Sequence, residues 1–270
     1  SGLKGSQTAT IKYGTTSGSY TTSDVPKITN ANEDKTIYWQ VTAPNHATQT
    51  GSYTITMNQT TGYLTATVSN PTYNGGAQVV GTIASNSGSY YFGFGSSTTS
   101  APTSWGSANT ALFATNAGTY YVWVKCDAST NYNAVGAKYI GTATIYQKAV
   151  TVTAGSTSKV YDGSALSYKS ATLSGQVSGH TLNSYNCTGS ITNVGSTSNV
   201  PSAAKIYSGS TDVTANYSIS YKNGTLTVTN ASFTVSAPNQ TYTYTGSAQG
   251  AAITVSGLKG SQTATIKYGT

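Results

Sequence analysis

An exact internal repeat constrains the fold of this chain more than any other feature. The fifteen residues SGLKGSQTATIKYGT occupy Ser1–Thr15 and occur again, letter for letter, at Ser256–Thr270. The offset between the two copies, from position 1 to position 256, is 255 residues. Self-similarity at a fixed period is the signature of repeat architectures. We therefore expect the 270-residue sequence to be a window, slightly longer than one period, from a longer tandem array.

The residue pattern between the two copies predicts an all-β chain. Apolar and polar residues alternate with a period of two in Thr36–Ala43 and again in Gly51–Asn58, which is the pattern of a half-buried strand. Turn-forming residues interrupt the chain about every eight to twelve residues, a spacing typical of β-sandwiches.

A second and weaker period lies within the first. Tyr73-Asn74-Gly75, Tyr161-Asp162-Gly163 and Tyr244-Thr245-Gly246 each follow a short predicted strand, at spacings of 88 and 83 residues. Three such steps fill the long period, and about 85 residues is the size of one small β-sandwich. We expect each tyrosine to pack at the end of a sandwich and each glycine to adopt a positive φ in a turn.

These two periods predict the module boundaries. Residues 62–149 form one complete β-sandwich module, and residues 150–230 form a second. Residues 1–61 are the C-terminal part of a third module, and residues 231–270 are the N-terminal part of its next copy. Because the linkers are short, we expect neighbouring modules to stack as an elongated rod.

A hairpin is predicted near the end of the second complete module. The segments NYSISY and TLTVT flank Lys222-Asn223-Gly224. Asn-Gly between two alternating segments is the strongest short-range hairpin signal, so Tyr217–Thr229 is predicted to fold as two paired strands.

Two segments resemble a known family. Val160–Ala165 (VYDGSA) and Asn216–Asn230 (NYSISYKNGTLTVTN) resemble the MBG and YDG types of bacterial immunoglobulin-like tandem repeats. The resemblance implies immunoglobulin-like modules within a large adhesin-like protein at a bacterial cell surface, acting as an extracellular spacer or fibre. It implies neighbouring copies of the same repeat as partners, and it brings no catalytic residues.

The charge pattern argues against nucleic acid as a partner. The chain has 13 basic and 6 acidic residues, for a net charge of +7. All the basic residues are lysines, and they are spread thinly along the chain rather than clustered as nucleic-acid binding requires. No apolar run approaches the roughly 20 residues of a membrane span, so no membrane insertion is expected in this segment.

The reactive residues predict no enzyme and no cofactor. His46 and His180 lie in different modules, and no pair of carboxylates has a catalytic spacing. Asp24, Glu33 and Asp34 could approach a calcium ion, but they lack the ligand run that calcium prefers, and a solvated loop is the favoured interpretation. No metal site is therefore predicted.

The cysteines predict no disulfide framework. Cys126 is in phase with Val122 and Val124 and is expected in a core. The phase of Cys187 is ambiguous, and a bridge between the two cysteines is a lesser alternative.

Three alternatives to a purely structural role stay open. Host or cell-surface glycans could bind exposed aromatic residues, for which Trp123 is the better candidate because Trp39 is expected in a core. Separate subunits could polymerise if residues 231–270 of one chain completed residues 1–61 of the next by strand addition. Repeated Thr-x-Thr pairs could bind ice, although threonine is common on any solvated strand.

One covalent hypothesis concerns Lys159. Its position beside Asp162 suggests an isopeptide between a lysine and an asparagine, promoted by a neighbouring carboxylate.

Overall fold

The computed structural model describes residues 2–269 and confirms that the chain is all-β. Among these residues, the secondary structure comprises nineteen strands and one 3-10 helix of three residues. Ser1 and Thr270, the outer ends of the predicted repeat junction, lie outside the described residues. The chain divides into two compact units: the first contains the residues up to Pro71 and Gly76–Ile145, and the second contains Thr72–Gly75 and continues from Tyr146.

The first unit contains nine strands. They are β1 (Thr10–Gly14), β2 (Glu33–Thr42), β3 (Gln49–Met57), β4 (Leu64–Val68), β5 (Gln78–Asn86), β6 (Tyr90–Gly95), β7 (Leu112–Ala114), β8 (Gly118–Cys126) and β9 (Val135–Ile145). They form three antiparallel sheets, in the orders β1-β2-β3, β4-β5-β7 and β6-β8-β9.

The strands β4 to β9 form two sheets that pack against each other. Strand β4 contacts β8 and β9 of the facing sheet. The core between the sheets includes Phe92, Val122, Val124 and Ile145, each 1% exposed or less. Cys126 is 2% exposed, so its prediction as a core residue is confirmed. Burying one valine, isoleucine or phenylalanine side chain in this core stabilises the fold by about 1.5–3 kcal/mol.

Residues 2–61 form a single sheet with little core of its own. Strand β2 is the central strand and pairs with β1 on one side and β3 on the other. Within this segment the fully buried residues are Gly14, Ala31 and Ile37. One layer of sheet cannot enclose a larger core.

The second unit contains the other ten strands. They are β10 (Lys148–Ala154), β11 (Thr157–Val160), β12 (Ala171–Ser174), β13 (His180–Thr188), β14 (Gly195–Ser208), β15 (Thr211–Asp212), β16 (Tyr217–Lys222), β17 (Gly224–Thr229), β18 (Thr234–Ser236) and β19 (Thr254–Ser256). One sheet has the order β12-β10-β16, and a second has the order β11-β17-β14-β13, with β15 paired to β14.

These two sheets enclose a core built by alternation. Val150 and Val152 of β10, Ile206 of β14, and Leu226 and Val228 of β17 are 3% exposed or less. The pairs β10–β16 and β11–β17 are parallel, and a parallel pair requires a longer connection than a tight turn can provide.

The hairpin predicted at Asn223-Gly224 is wrong. Strand β16 pairs with β10 in one sheet, and β17 pairs with β11 and β14 in the other, so the chain changes sheets at Asn223. Gly224 has a different role from a turn residue. A Cβ at this position would lie 2.2 Å from the carbonyl oxygen of Gly155, so the close approach of two backbones requires glycine.

Residues 231–269 bury very little. Strands β18 and β19 pair antiparallel, and every residue of this segment is exposed or half-buried. Residues 265–269 lie outside any strand, although their sequence is that of β1.

Candidate functional site

A buried polar cluster lies in the second unit, around Tyr73, His180 and Tyr217. The Tyr73 ring lies edge-on to the Tyr217 ring, with centroids 5.5 Å apart, and it lies 6.2 Å from the His180 ring. All three side chains are 8% exposed or less. Tyr73 therefore joins β13 and β16, which begin at His180 and Tyr217.

The Tyr217 hydroxyl contacts two other polar groups of this cluster. The Tyr217 hydroxyl accepts from the backbone N–H of Val177 at 3.1 Å and lies 2.6 Å from His180 Nδ1. The tautomer of His180 decides which of these two groups donates, because the hydroxyl has one proton and two lone pairs. Burial raises the pKa of Tyr217 above its usual value. The arrangement fixes two strands in place, and its aromatic surfaces fill the end of the core.

The glycines of the three Tyr-x-Gly turns share one backbone conformation. Their φ values are +89° at Gly75, +86° at Gly163 and +83° at Gly246, a region that favours glycine. At Gly75 a Cβ would also lie 2.9 Å from Val177.

The tyrosines of these turns have three different environments. Tyr73 is 3% exposed and Tyr244 is 92% exposed, while Tyr161 is half-buried. The structure therefore buries the tyrosine of the first turn and leaves that of the third in solvent.

Lys159 and Asp162 form a local ion pair at the second turn. The ammonium lies 2.7 Å from Asp162 Oδ1 and 2.7 and 2.8 Å from the carbonyl and hydroxyl oxygens of Ser164. The bond from Lys159 to Asp162, followed by those that the Ser164 N–H and hydroxyl donate to the same carboxyl, holds the pKa of Asp162 well below its usual range. A charged amine with three oxygen acceptors is not poised to attack a carbonyl, so the geometry favours an ion pair over the isopeptide hypothesis.

An aromatic patch on the first unit was not predicted from the sequence. The ammonium of Lys125 lies 5.2 Å from the centre of the Tyr91 ring and 5.1 Å from the centre of the Trp105 ring. Asp127 accepts a hydrogen bond that raises the pKa of Tyr91. Tyr91, Trp105 and Lys125 are half-buried, so this Lys125 patch offers both aromatic and charged surface to solvent.

The prediction that Trp123 is an exposed aromatic is wrong. Trp123 is 8% exposed and donates a hydrogen bond from Nε1 to the carbonyl oxygen of Ser97 at 3.1 Å. The loop that follows β6 covers this outer face of β8, which strand alternation alone does not reveal. Trp39, expected in a core, is half-buried, and a Cβ at Gly51 would lie 2.3 Å from its ring.

The prediction that Glu33 and Asp34 lie in a loop is wrong, because they are the first two residues of β2. Glu33 accepts a hydrogen bond from Asn30 at 3.3 Å, and Asp34 accepts one from Thr56 at 2.6 Å. Over residues 2–269, no group of three or more histidine, cysteine or acidic side chains could hold a metal ion. Cys126 and Cys187 are free thiols.

The sequence periodicity did not indicate that His180 and Asn199 are buried. His46 is exposed and contacts the Pro44 carbonyl oxygen, whereas His180 is buried. Asn199 is 0% exposed and donates from Nδ2 to the carbonyl oxygens of Gly155 and Tyr168, both at 2.9 Å. Either residue, judged by type alone, is usually found in solvent or half-exposed.

The remaining predicted positions lie at the repeat junction. Thr15, directly after β1, and Ser256, the last residue of β19, are both exposed. No helix within residues 2–269 has the length and hydrophobicity needed to cross a membrane.

Comparisons with known proteins give little further information. No protein-family model matches the chain, and no curated protein matches it. Among solved structures it is similar to SGBP-B of the Bacteroides ovatus mixed-linkage glucan utilization locus, which was solved in complex with a mixed-linkage heptasaccharide. The identity is 12%, the TM-score is 0.17, and the alignment covers 87% of this chain and 64% of that chain. This chain thus spans less than two thirds of that protein, and a TM-score of this size supports no inference about fold or function.

Proposed function

We propose that this chain is a non-catalytic structural repeat of an extracellular filament or adhesin stalk on a bacterial surface. The observation that carries the proposal is the exact recurrence of Ser1–Thr15 at Ser256–Thr270. A chain of tandem β-modules spaces other parts of a protein away from a surface and needs no reactive site. The resemblance of Val160–Ala165 to bacterial immunoglobulin-like repeats of the MBG and YDG types supports the same assignment.

The packing of the chain supports a structural role. Residues 64–145 enclose a core between two sheets, and so do residues 148–229. Each of these cores gives its own part of the chain stability without a disulfide among the described cysteines. Outward-facing hydroxyls pair across strands at Thr67–Thr82 and Ser196–Thr227, which keeps the surface polar with few charges.

The mass of the full-length protein from its natural source, measured under denaturing conditions, tests this proposal. One 270-residue chain has a mass of 27.7 kDa. We expect a mass many times larger, because the repeats are proposed to belong to one covalent chain. A native mass near 27.7 kDa would overturn the tandem array and favour separate subunits that polymerise by strand addition.

Glycan binding is the second candidate function, and the Lys125 patch favours it. Trp105 and Tyr91 present aromatic surface beside the polar groups of Lys125 and Asp127. Binding sites for polar ligands combine apolar or aromatic walls with a few polar groups that orient the ligand. The host or cell-surface glycans considered from the sequence would then bind at this patch rather than at Trp123.

A glycan array with matched variants separates the two functions. If the Lys125 patch binds a sugar, Trp105→Ala should weaken binding about fivefold, since one aromatic contact contributes on the order of 1 kcal/mol. Phe113→Ala is the control, because Phe113 is an aromatic residue of the same unit that is 47% exposed. Equal loss in both variants, or no binding by the unmodified chain, would contradict glycan binding at this patch.

A further inference from the structure

One face of the β1–β2–β3 sheet is apolar and incompletely covered. Residues that pair directly across antiparallel strands share a face, and the register places Ile11 opposite Val41 and Tyr13 opposite Trp39. We call these four residues the docking face. Ile11 is 44% exposed, and the other three are half-buried. The other face of the same strands carries Thr10, Lys12, Gln40 and Thr42.

The β6-β8-β9 sheet shows what covers an equivalent face. It has the same strand order as β1-β2-β3, and its pairs Phe92–Val124 and Phe94–Val122 match the two pairs of the docking face. Phe92, Val122 and Val124 are 1% exposed or less. Strand β5 covers two of them, since a Cβ at Gly81 would lie 3.1 Å from Val122 and 3.3 Å from Phe92.

Residues 231–255 contain the counterpart of that cover. Strands β18 and β19 pair antiparallel around Tyr244-Thr245-Gly246, as β4 and β5 pair around Tyr73-Asn74-Gly75. Phe233 and Val235 are 55% and 53% exposed. Residues 231–255 carry no charged side chain, and neither does the docking face, so the two surfaces can meet without burying a charge.

The exact repeat is next to both surfaces. Leu3 and Ala9 line a cavity of about 790 Å³ whose wall includes Val41. Leu258 and Ala264, the same residues of the second copy, line a cavity of about 410 Å³ whose walls include Phe233, Val235 and Val255. The same leucine and alanine of the repeat therefore line a cavity with Val41 in one copy and a cavity with these three apolar residues in the other.

We infer that residues 231–255 of a second copy of this chain dock on the docking face and form the missing layer of a β-sandwich. Phe233, Val235 and Val255 pack toward Trp39 and Val41 in this arrangement. The contact is one sheet layer on another, which differs from the addition of a strand at a sheet edge. The inference rests on the tandem array proposed above, because residues 231–255 directly precede the second copy of the repeated segment.

Hydrogen–deuterium exchange on a two-copy chain tests the inference. In this chain, position 270 of the first copy is followed directly by Thr16 of the second copy. The first 231–255 segment is therefore followed by a complete β1–β2–β3 sheet, and the second 231–255 segment is not. Peptides from residues 231–255 should show two isotope envelopes of equal size, one exchanging at least about tenfold more slowly than the other. The 270-residue chain should show the fast envelope alone. A single fast envelope in the two-copy chain would overturn the inference.

Two neighbouring substitutions on β18 sharpen this test. Val235→Asp should eliminate the slow envelope, because it places a charge in the new core. Thr234→Asp, on the opposite face of the strand, should preserve it. Peptides from Gly195–Ser208 report that the rest of the second unit is folded in both variants. A slow envelope that survives Val235→Asp would also overturn the inference.

The result of the exchange experiment does not depend on the mass of the protein from its natural source. A native mass near 27.7 kDa would remove the tandem array, whereas two envelopes in the two-copy chain would still establish the docking face.

Discussion

The hydroxyl oxygen of Tyr217 lies 2.6 Å from Nδ1 of His180, and both side chains are buried in the second unit. The same oxygen accepts the backbone N–H of Val177, and the Tyr73 ring packs edge-on against the Tyr217 ring. Buried polar groups are nearly always paired. One hydroxyl therefore partners both the buried His180 ring and the backbone N–H of the half-buried Val177.

Replacement of Tyr217 by phenylalanine should destabilise the second unit. The ring is retained, but Val177 N–H and His180 Nδ1 lose their partner, at a cost of about 1–3 kcal/mol. Urea unfolding followed by far-UV circular dichroism should show an earlier transition. Tryptophan fluorescence should be unchanged, because Trp39, Trp105 and Trp123 all lie in the first unit.

Tyr221→Phe is the matched control for this substitution. Tyr221 lies on the same strand and accepts the backbone N–H of Ala204 at 3.0 Å, but it is 43% exposed. Water can replace its hydroxyl, so we expect a cost below about 1 kcal/mol. An equal loss in both variants would contradict a special role for the buried pair.

Alkaline pH should weaken the second unit through the same residue. Burial raises the pKa of Tyr217 above the usual 10.0, so the folded state retains the proton at pH values where the unfolded state has lost it. This contribution to stability is fully present below pH 10.0 and is lost as the pH rises through the folded-state pKa. The free energy of unfolding should fall more steeply above pH 10.0 in the unmodified chain than in Tyr217→Phe. Parallel curves for the two chains would contradict the prediction.

Strand positions could be predicted from the sequence, but strand partners could not. The alternation of Val122, Val124 and Cys126 requires one buried face, and the structure buries all three. The Asn223-Gly224 pair is a local signal, and it carries no information about which sheet each flanking strand joins. Parallel pairing of β16 with β10 depends on contacts between residues far apart in the chain.

The candidate sites were hidden from the sequence for the same reason. His180 and Tyr217 are 37 residues apart, and neither belongs to a spacing that indicates chemistry. The burial of Trp123 depends on a loop that contains Ser97. Lys125, Tyr91 and Trp105 likewise meet only after three separate segments have folded.

Replacement of Asn199 by aspartate should be among the most destabilising single changes in the second unit. The Asn199 amide donates to the carbonyl oxygens of Gly155 and Tyr168 from a fully buried position. A carboxylate there would face two oxygens without a donor, at a cost of about 3–5 kcal/mol. Asn199→Leu leaves the same carbonyls unpaired but adds no charge, so we expect about 1–3 kcal/mol. Urea unfolding by circular dichroism measures both, and a larger loss for leucine would contradict this explanation.

Gly224→Ala should also destabilise the second unit. Its Cβ would lie 2.2 and 2.7 Å from the carbonyl oxygens of Gly155 and Ala154, so one backbone must shift, at a cost of about 1–3 kcal/mol. Gly250→Ala is the control, because nothing lies within 4 Å of its Cβ position. Thermal unfolding compares the two variants. An equally small effect at both positions would mean that the close approach is easily relieved.

Acid should weaken the second unit through Asp162. The hydrogen bond from Lys159, followed by those from Ser164, holds the pKa of this carboxyl below its usual value of 3.8. Its contribution is therefore present above pH 3.8 and is lost as the pH falls through the lower folded-state pKa. Asp162→Asn and Lys159→Met should both reduce the dependence of the melting temperature on pH below about 4, whereas Asp24→Asn in the first unit should not alter that of the second. Because the ion pair is the proposed cause, an unchanged acid dependence in Lys159→Met would contradict it even if Asp162→Asn behaved as expected.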